Sequence, residues 1–355
     1  MRATGASREP QIEYATAHDG ARIATLAFGE GPPLLIAATP PWSHVQLEHR
    51  IPAVRAWLDA LGRDVRVIRY DARGTGLSDR DKVDFSTETQ VRDLGAVADH
   101  YRLATFGLWG SISGAPPSIA YAARHPDRVS HLLLWSAYVR GDVFKRDAAA
   151  WSAMLRDNWE LYTDSYAQAA FGWADSATAA QYADMTRAAI TQSAMQQFVR
   201  ALTPIDVSET ARLIGTPTLV MARRDAKYSG AAHAREFASL IPGARLQIFE
   251  GTSPAPFLGN WRESADATIR FLLSPERARN DALPPLGALT PRETEVLGLL
   301  ASGRSGKDVA AELGVSVATA QRHIANIYTK IGARGRVDAV AYAFEHGLGR
   351  AARST

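Results

Sequence analysis

Between Ile12 and Leu273, short apolar runs alternate with amphipathic stretches. Ile12 to Thr16 and Arg22 to Phe28 have strand character and flank Asp19-Gly20, a hairpin signal. Leu34 to Ala38, Arg66 to Tyr70, Phe106 to Trp109, Val129 to Trp135, Thr218 to Met221 and Arg245 to Phe249 read as further strands. Helices are expected over Val45 to Leu61, Glu88 to Arg102 and the stretch through Ile119 to Arg124, with a sharp turn at Gly110 to Gly114. Strands alternating with helices imply an α/β fold with a mainly parallel sheet covered on both faces. From Gly141 to Asp206 the alternation stops. This segment reads as several helices carrying Trp151, Trp159, Tyr162, Tyr166, Phe171, Trp173, Tyr182 and Phe198. An all-helical insert after a strand of such a sheet forms a lid over the strands' carboxyl ends, where open α/β folds bind ligands. Most of these aromatics are expected in the lid's own core, with a minority on a pocket.

The pattern changes again after Leu273. Residues 274–288 carry Pro275, Pro284 and Pro285 among mixed charges and read as a linker with some stiffness. Four short helices then follow. The first is signalled by Thr290 as N-cap, Pro291 and Glu293 in a capping box, and ends near Gly303. The second opens at Ser305 with Asp308 three residues on, and stops at Gly314. The third runs from Ser316 to Gly332. It turns Ala320, Ile324, Ile327 and Ile331 inward and Gln321, Arg322, Ala325 and Asn326 outward. The fourth is apolar on the side of Val337, Val340, Ala341 and Phe344, a face suited to pairing with a second copy. The boundaries read from this are 11–273, with the lid at about 141–206, then 274–288, then 289–350. Residues up to about Pro10 are expected to be disordered.

Two short helices joined at Gly314-Val315, the second exposing hydrogen-bonding side chains, form the helix-turn-helix pattern, whose second helix lies in the major groove. From Leu289-Thr290-Pro291-Arg292-Glu293 through Ala310 to Lys330-Ile331-Gly332, the stretch resembles the LuxR-type DNA-binding domain without gaps. The resemblance places Gln321, Arg322 and Ala325 at base-reading positions, and Lys307, Ser316, Thr319 and Lys330 against phosphates. It implies double-stranded DNA as a partner. A homodimer is expected, because one short helix reads few base pairs.

Composition narrows the rest. In 355 residues, 46% are apolar and 22% charged, which suits a globular chain with room for one large and one small domain. Net charge is +3. From Leu283 onward, nine Lys/Arg against six Asp/Glu give 9 − 6 = +3, so the remainder is neutral at 31 − 31 = 0. The excess therefore sits on the helix-turn-helix segment, in keeping with phosphate contact. There are no cysteines, which excludes disulfides and thiolate chemistry. No apolar run is long enough to span a bilayer and Met1 to Pro10 is polar, so a soluble cytoplasmic protein without membrane contact is expected. No metal or cofactor is called for.

From about Ala21 to Leu273 the chain resembles the α/β-hydrolase family. The resemblance rests on Arg69-Tyr70-Asp71-Ala72-Arg73-Gly74-Thr75-Gly76-Leu77-Ser78-Asp79, the elbow at Gly110 to Gly114, Tyr121 to Val129, and Pro217 to Val220. It implies a mostly parallel sheet with a helical lid. Members that work as hydrolases need a nucleophile at the centre of a Gly-x-Ser-x-Gly elbow, a carboxylate after a later strand and a His after the last strand. A hydroxyl is a poor nucleophile until a base takes its proton, and the base needs an acid to hold its tautomer. Here the elbow reads Gly110-Ser111-Ile112-Ser113-Gly114, and Ile112 stands at its centre. The acid position falls on Ala226, one residue past Asp225, and the His position on Pro254. The loop Ala38-Thr39-Pro40-Pro41-Trp42-Ser43-His44 carries prolines where an oxyanion would need N–H groups.

The expected function is therefore a DNA-binding transcription regulator whose hydrolase-like domain binds a small molecule without turning it over. The alternatives are an active esterase or lactonase with an appended DNA-binding domain, and a constitutive regulator that uses its large domain only to dimerise. Ser111 or Ser113 with His44 is the conceivable substitute catalyst. The expected pocket residues are Trp42, His44, Ser111, Ile112, Ser113, Tyr138, Trp151, Trp159 and Pro254. The elbow's central residue normally has positive φ, so Ile112 is expected to be strained or its turn relaxed.

Overall fold

The computed structural model describes residues 11–141, 148–171, 175–227, 229–274, 289–331, 333, 335–345 and 348. The chain divides into two units, 1–274 and 275–355. Of the expected linker only Ser274 is among the described residues, as Trp173, Gly332 and Met1 to Pro10 are not.

The larger unit is built on eight strands: β1 (Glu13–Thr16), β2 (Arg22–Phe28), β3 (Pro33–Ile36), β4 (Arg66–Tyr70), β5 (Phe106–Ser111), β6 (Val129–Trp135), β7 (Thr218–Arg223) and β8 (Arg245–Phe249). Their order is β1-β2-β4-β3-β5-β6-β7-β8. β2 is antiparallel to β1 and to β4. The remaining neighbours are parallel, with Leu35 opposite Leu108 and Leu134 opposite Val220. Successive side chains on a strand point to opposite faces, so a central strand must be apolar on both. Leu35, Ile68, Leu108 and Leu134 face one core, shared with Leu94 and Ile119. Leu34, Val67, Trp109 and Leu133 face the other, shared with Trp57 and Phe271.

The covering helices are α1 (Pro52–Leu61), α2 (Thr87–His100) and α3 (Ala115–Arg124), the four lid helices α4 (Ala148–Asp157), α5 (Trp159–Phe171), α6 (Ser176–Ala189) and α7 (Gln192–Leu202), and then α8 (Ser208–Arg212), α9 (Ala231–Leu240) and α10 (Trp261–Leu273). The expected single helix from Val45 to Leu61 is two pieces, a turn at Glu48–Arg50 and α1. Pro52 is the cause: a residue before proline is driven from the helical region, and Ile51 is extended at φ −87°, ψ 113°.

The loop after β4 shows why the run Asp71 to Asp79 has its composition. Asp71 is fully buried and accepts from the backbone N–H of Val45 at 2.8 Å and of Leu77 at 2.9 Å. Burial pushes its carboxyl up to about 8, against the pull of those two bonds. Gly76 has φ +53°, and a Cβ there would lie 2.1 Å from Asp71 Oδ2, so no other residue fits. Ser78 Oγ donates to the Asp71 carbonyl at 2.7 Å. Arg73 spans the gap to the covering layer, donating to Asp93 at 2.8 and 2.5 Å and to Asp19 at 2.7 Å.

The smaller unit is α11 (Pro291–Ala301), α12 (Gly306–Glu312), α13 (Val317–Ile331) and α14 (Arg336–Glu345). Val296, Leu300, Val309, Ala320, Ile327 and Tyr342 are buried together. Two capping boxes fix its turns, Thr290 with Glu293 and Ser305 with Asp308. Gly303 at φ +91° and Gly314 at φ +64° release the chain from α11 and α12. On α14 the side chains of Val337, Ala341 and Phe344 lie outside the described residues.

Arg73 is 3% exposed and Asp93 1%. Arg73→Ala strands Asp93 as a buried unpaired carboxylate and should cost about 3–5 kcal/mol. Asp19→Ala removes a half-exposed partner and should cost about 1 kcal/mol or less. Urea unfolding of both variants checks the ranking.

Candidate functional site

The site in the larger unit starts at the turn from β5 into α3. Close packing shapes this turn. A Cβ on Gly110 would meet Ser118 Oγ at 2.6 Å, and one on Gly114 would meet the Ala38 carbonyl at 2.7 Å. Between them Ile112 has φ +47°, a left-handed backbone that costs a β-branched residue on the order of 1–3 kcal/mol. The flanking serines look away from any base. Ser113 Oγ donates to the Pro40 carbonyl at 2.7 Å, and Ser111 Oγ pairs with Thr39 Oγ1 at 3.1 Å.

Ile112 and Trp42 line two neighbouring cavities. One, of about 140 Å³, lies under the lid. Tyr138, Trp151, Tyr162 and Tyr166 form its walls, with Lys227, Ser229, Thr252 and Pro254 on the side of the loops after β7 and β8. An apolar cavity of about that volume holds a benzene-sized molecule. The other, of about 60 Å³, runs down to the sheet between Trp57, Trp109, Phe171 and Tyr182. A buried ion pair stands on its wall, Arg69 Nη2 donating to Glu48 Oε2 at 2.6 Å. Burial pushes the Glu48 carboxyl up, and Arg69 opposes that shift. A run of ring contacts ties lid to loops: Tyr162 stacks on Tyr166 at 5.5 Å, Tyr166 meets Trp42 at 5.1 Å, and Trp42 meets Phe171 at 5.4 Å.

The loops beyond β7 and β8 are held by a buried cation. Arg223, 2% exposed, donates through Nη1 to the Glu250 carbonyl at 3.1 Å and through Nη2 to the Leu258 carbonyl. It lies 5.7 Å from the Trp135 ring, while Trp135 Nε1 donates to the Pro254 carbonyl at 2.5 Å. Ala226 is buried; Asp225 is exposed, its N–H donating to the Gly251 carbonyl at 3.0 Å.

Of the nine expected pocket residues, Trp42, Ser111, Ile112, Tyr138, Trp151 and Pro254 line one cavity or both. His44, Ser113 and Trp159 line neither, which is a correction. His44 is buried with Nδ1 accepting from the Leu47 N–H at 3.3 Å, and burial pushes its pKa down. It bonds neither serine, so the conceived substitute catalyst is not assembled. Trp159 stacks on Tyr162 in the lid's core. The lid aromatics are core as expected, Tyr162, Phe171, Tyr182 and Phe198 being buried in the apolar clusters, but those on a cavity are not a minority: Trp151, Tyr162, Tyr166, Phe171 and Tyr182 all line one. Glu48, Arg69 and Lys227 were missed. Arg69 had a signal, a charge within the otherwise apolar run Val67-Ile68-Arg69-Tyr70.

In the smaller unit α13 exposes Gln321, Arg322, Ala325 and Asn326 and buries Ala320, Ile327 and Ile331. Lys307, Ser316 and Thr319 are exposed alongside. Ser316 Oγ caps α13, accepting from the Thr319 N–H at 3.1 Å. Lys330 departs from a bare phosphate-contacting lysine: its Nζ donates to Glu293 Oε2 at 2.7 Å.

Residues 287–343 match the model of the bacterial regulatory proteins of the luxR family, and residues 44–193 that of the alpha/beta hydrolase fold. The chain unites an α/β-hydrolase-fold domain with a LuxR-type domain. Over 60 residues, 17% of its length, it is 43% identical to the Transcriptional regulatory protein MctR of Rhizobium johnstonii, matching 28% of that protein. The chain thus spans little more than a quarter of the curated relatives it matches. The structure is similar to an esterase from Exiguobacterium antarcticum, with a TM-score of 0.65 at 19% identity over 74% of this chain and 99% of the esterase. It is similar also to the enol-lactonase of Burkholderia xenovorans, with a TM-score of 0.62 at 19% identity over 73% of this chain and 99% of the lactonase. At such identities these two show the fold alone. Among the described residues no helix is long and apolar enough to cross a membrane, and no His/Asp/Glu group is placed to hold a metal ion.

In the LuxR-type domain Glu293 closes the capping box and takes the bond from Lys330, which holds its carboxyl down at about 2, with the Thr290 N–H contributing next. A depressed carboxylate adds stability that is complete above its unfolded value of about 4.5 and is lost as pH falls through about 2. A carboxyl-carbon NMR titration of Glu293 should show a midpoint near 2 that moves up in Lys330→Ala. An unmoved midpoint would show that the lysine is not its cause.

Proposed function

We propose that this chain is a ligand-responsive transcription regulator. In this reading residues 289–350 bind double-stranded DNA, residues 274–288 link them, and the hydrolase-like domain 11–273 binds a small molecule beneath its lid without turning it over. The observation that carries it is Ile112. The turn that holds a nucleophile in hydrolases of this fold keeps its left-handed backbone here, yet presents an apolar side chain shared by two cavities. Ala226 and Pro254 stand where the acid and base would be, and Thr39 rather than an imidazole meets Ser111. A site that binds but does not consume its ligand reports steady concentration, which suits a sensor.

On DNA, Gln321 and Arg322 reach base edges from α13, Ala325 packs on a thymine methyl, and Lys307, Ser316 and Thr319 meet phosphates. Lys330 meets phosphate only if it leaves Glu293. Two copies bind together, one per half-site, in the cytoplasm where the chromosome lies. Ligand shifts operator affinity only as far as it favours one arrangement of the protein over another.

The test is fluorescence anisotropy on the duplex upstream of the chain's own coding region, with and without small-molecule extract from the producing cells. Extract should shift affinity, and the active compound should return intact. Arg322→Ala should weaken operator binding by about 1–3 kcal/mol, roughly fivefold to 150-fold, while leaving the fold unchanged. Tight binding indifferent to extract would favour a constitutive regulator. Protein-dependent release of nitrophenol from p-nitrophenyl acetate, lost in Ser111→Ala or Ser113→Ala, would favour the esterase.

A further inference from the structure

The smaller cavity, of about 60 Å³, has a wall of two kinds. Most of it is apolar, with Trp57, Trp109, Phe171 and Tyr182 among its residues. The rest is dominated by Glu48 and Arg69, the only formal charges that line it among the described residues. Glu48 is 1% exposed and Arg69 7%. Arg69 Nη2 donates to Glu48 Oε2 at 2.6 Å. Glu48 Oε1 and Arg69 Nε have no partner among the described residues, and neither has Trp42 Nε1 on the same cavity. The hydroxyls of Thr39 and Ser111, which also line it, bond to each other at 3.1 Å. A buried polar atom left unbonded is costly, the more so when it carries charge. One acceptor and two donors therefore remain open on this wall.

Charge decides what can use them. The pair carries no net charge, so Glu48 repels a carboxylate and Arg69 repels an ammonium, and either ion would lose its hydration on entry. A neutral group that both donates and accepts suits both partners. A hydroxyl gives its hydrogen to Glu48 Oε1 and accepts from Arg69 Nε, and a carboxamide does the same through its N–H and its carbonyl. Such a head also meets a protonated Glu48, the form toward which burial pushes this carboxyl. Size decides the rest. At about 60 Å³ against about 140 Å³ under the lid, the smaller cavity admits a head but not a ring. Trp42 and Ile112 line both chambers, so a ligand with its ring in the larger reaches the smaller past these two side chains.

We propose that the smaller cavity is a recognition site for the neutral hydroxyl or carboxamide head of a small ligand whose aromatic or apolar body lies under the lid, with Glu48 and Arg69 as the partners of that head. This rests on the sensor reading above and names the ligand class for it.

The test titrates the full chain with 2-phenylethanol and with propylbenzene, which has a methyl group in place of the hydroxyl. Tryptophan fluorescence follows binding, since Trp42, Trp57 and Trp109 line the cavity. A chamber without open polar partners would hold propylbenzene the tighter, because a hydroxyl buried unbonded forfeits its hydration. The alcohol should instead bind the tighter, and tighter also than phenylacetate and 2-phenylethylammonium. Replacing both charges together, Glu48→Met with Arg69→Met, leaves no lone ion buried. That double change should weaken the alcohol about tenfold or more, as the loss of bonds to charged groups implies, and leave propylbenzene no weaker. Propylbenzene favoured by the unaltered chain, preference for either charged probe, an alcohol affinity unmoved by the double change, or no binding of any probe overturns the proposal. If the doubly substituted chain does not fold, the order of the probes on the unaltered chain decides alone. Alcohol-selective binding that leaves operator affinity unchanged supports the site and overturns the sensor reading. Extract that shifts operator affinity in a chain that prefers propylbenzene does the reverse, so the two can fail separately.

Discussion

The larger domain is organised by the close approach of α3 to the edge of β5. Gly110 and Gly114 let the chain turn sharply against Ser118 and the Ala38 carbonyl, and that geometry forces the residue between them into the left-handed region. In an enzyme of this fold the strain has an evident use, since it lifts a nucleophile clear of the sheet. Here the residue is Ile112, the least comfortable kind of side chain for the position, and the turn has not relaxed. The packing of helix on strand therefore dictates the backbone, independently of any chemistry carried there. Everything around the cavities follows from it, because Ile112 projects where the lid, the loop after β3 and the loop after β8 converge.

Local signals in the sequence carried far. Thr290 with Glu293 and Ser305 with Asp308 announced helix starts, because a capping box is satisfied within four residues and needs no distant partner. The strands emerged from apolar runs, and the run Asp71 to Asp79 marked its loop by composition, although its side chains bond largely to distant partners, Asp71 to Val45 and Arg73 to Asp93 and Asp19. The misses were non-local. Arg69 meets Glu48 across 21 residues, and no periodicity couples them. His44 was placed in the pocket by its loop, but the fold turns its Nδ1 back onto Leu47. Trp159 and Tyr166 look alike in sequence. Only the packing of α5 decides that one serves the lid's core and the other the cavity wall. The break at Ile51 was legible in Pro52 and was passed over.

The two cavities differ in kind. The smaller is narrow and carries on its wall a charged pair that is satisfied on one side only: Glu48 Oε1 and Arg69 Nε have no hydrogen-bond partner among the described residues. Burying such a pair opposes folding unless its attraction and hydrogen bonds repay the loss of hydration. The larger is soft and aromatic, and its wall runs through ring contacts from lid to loop. A molecule seated there would touch the lid and the loops beyond β7 and β8 at once, so its binding energy depends on how the lid lies.

Arg223 fastens the loop after β8 from beneath. Its guanidinium holds the loop after β8 at two carbonyls, and Gly251 at φ +122° and Gly259 at φ +59° bend closely around it, where a Cβ would lie 3.1 and 3.3 Å from its side chain. A histidine placed at 254 would enter a loop already fastened to a cation and to the Trp135 indole. Any change to the loop after β8 must therefore accommodate a buried cation that two of its carbonyls depend on, so this wall of the site is set by Arg223 as much as by the residues that line it.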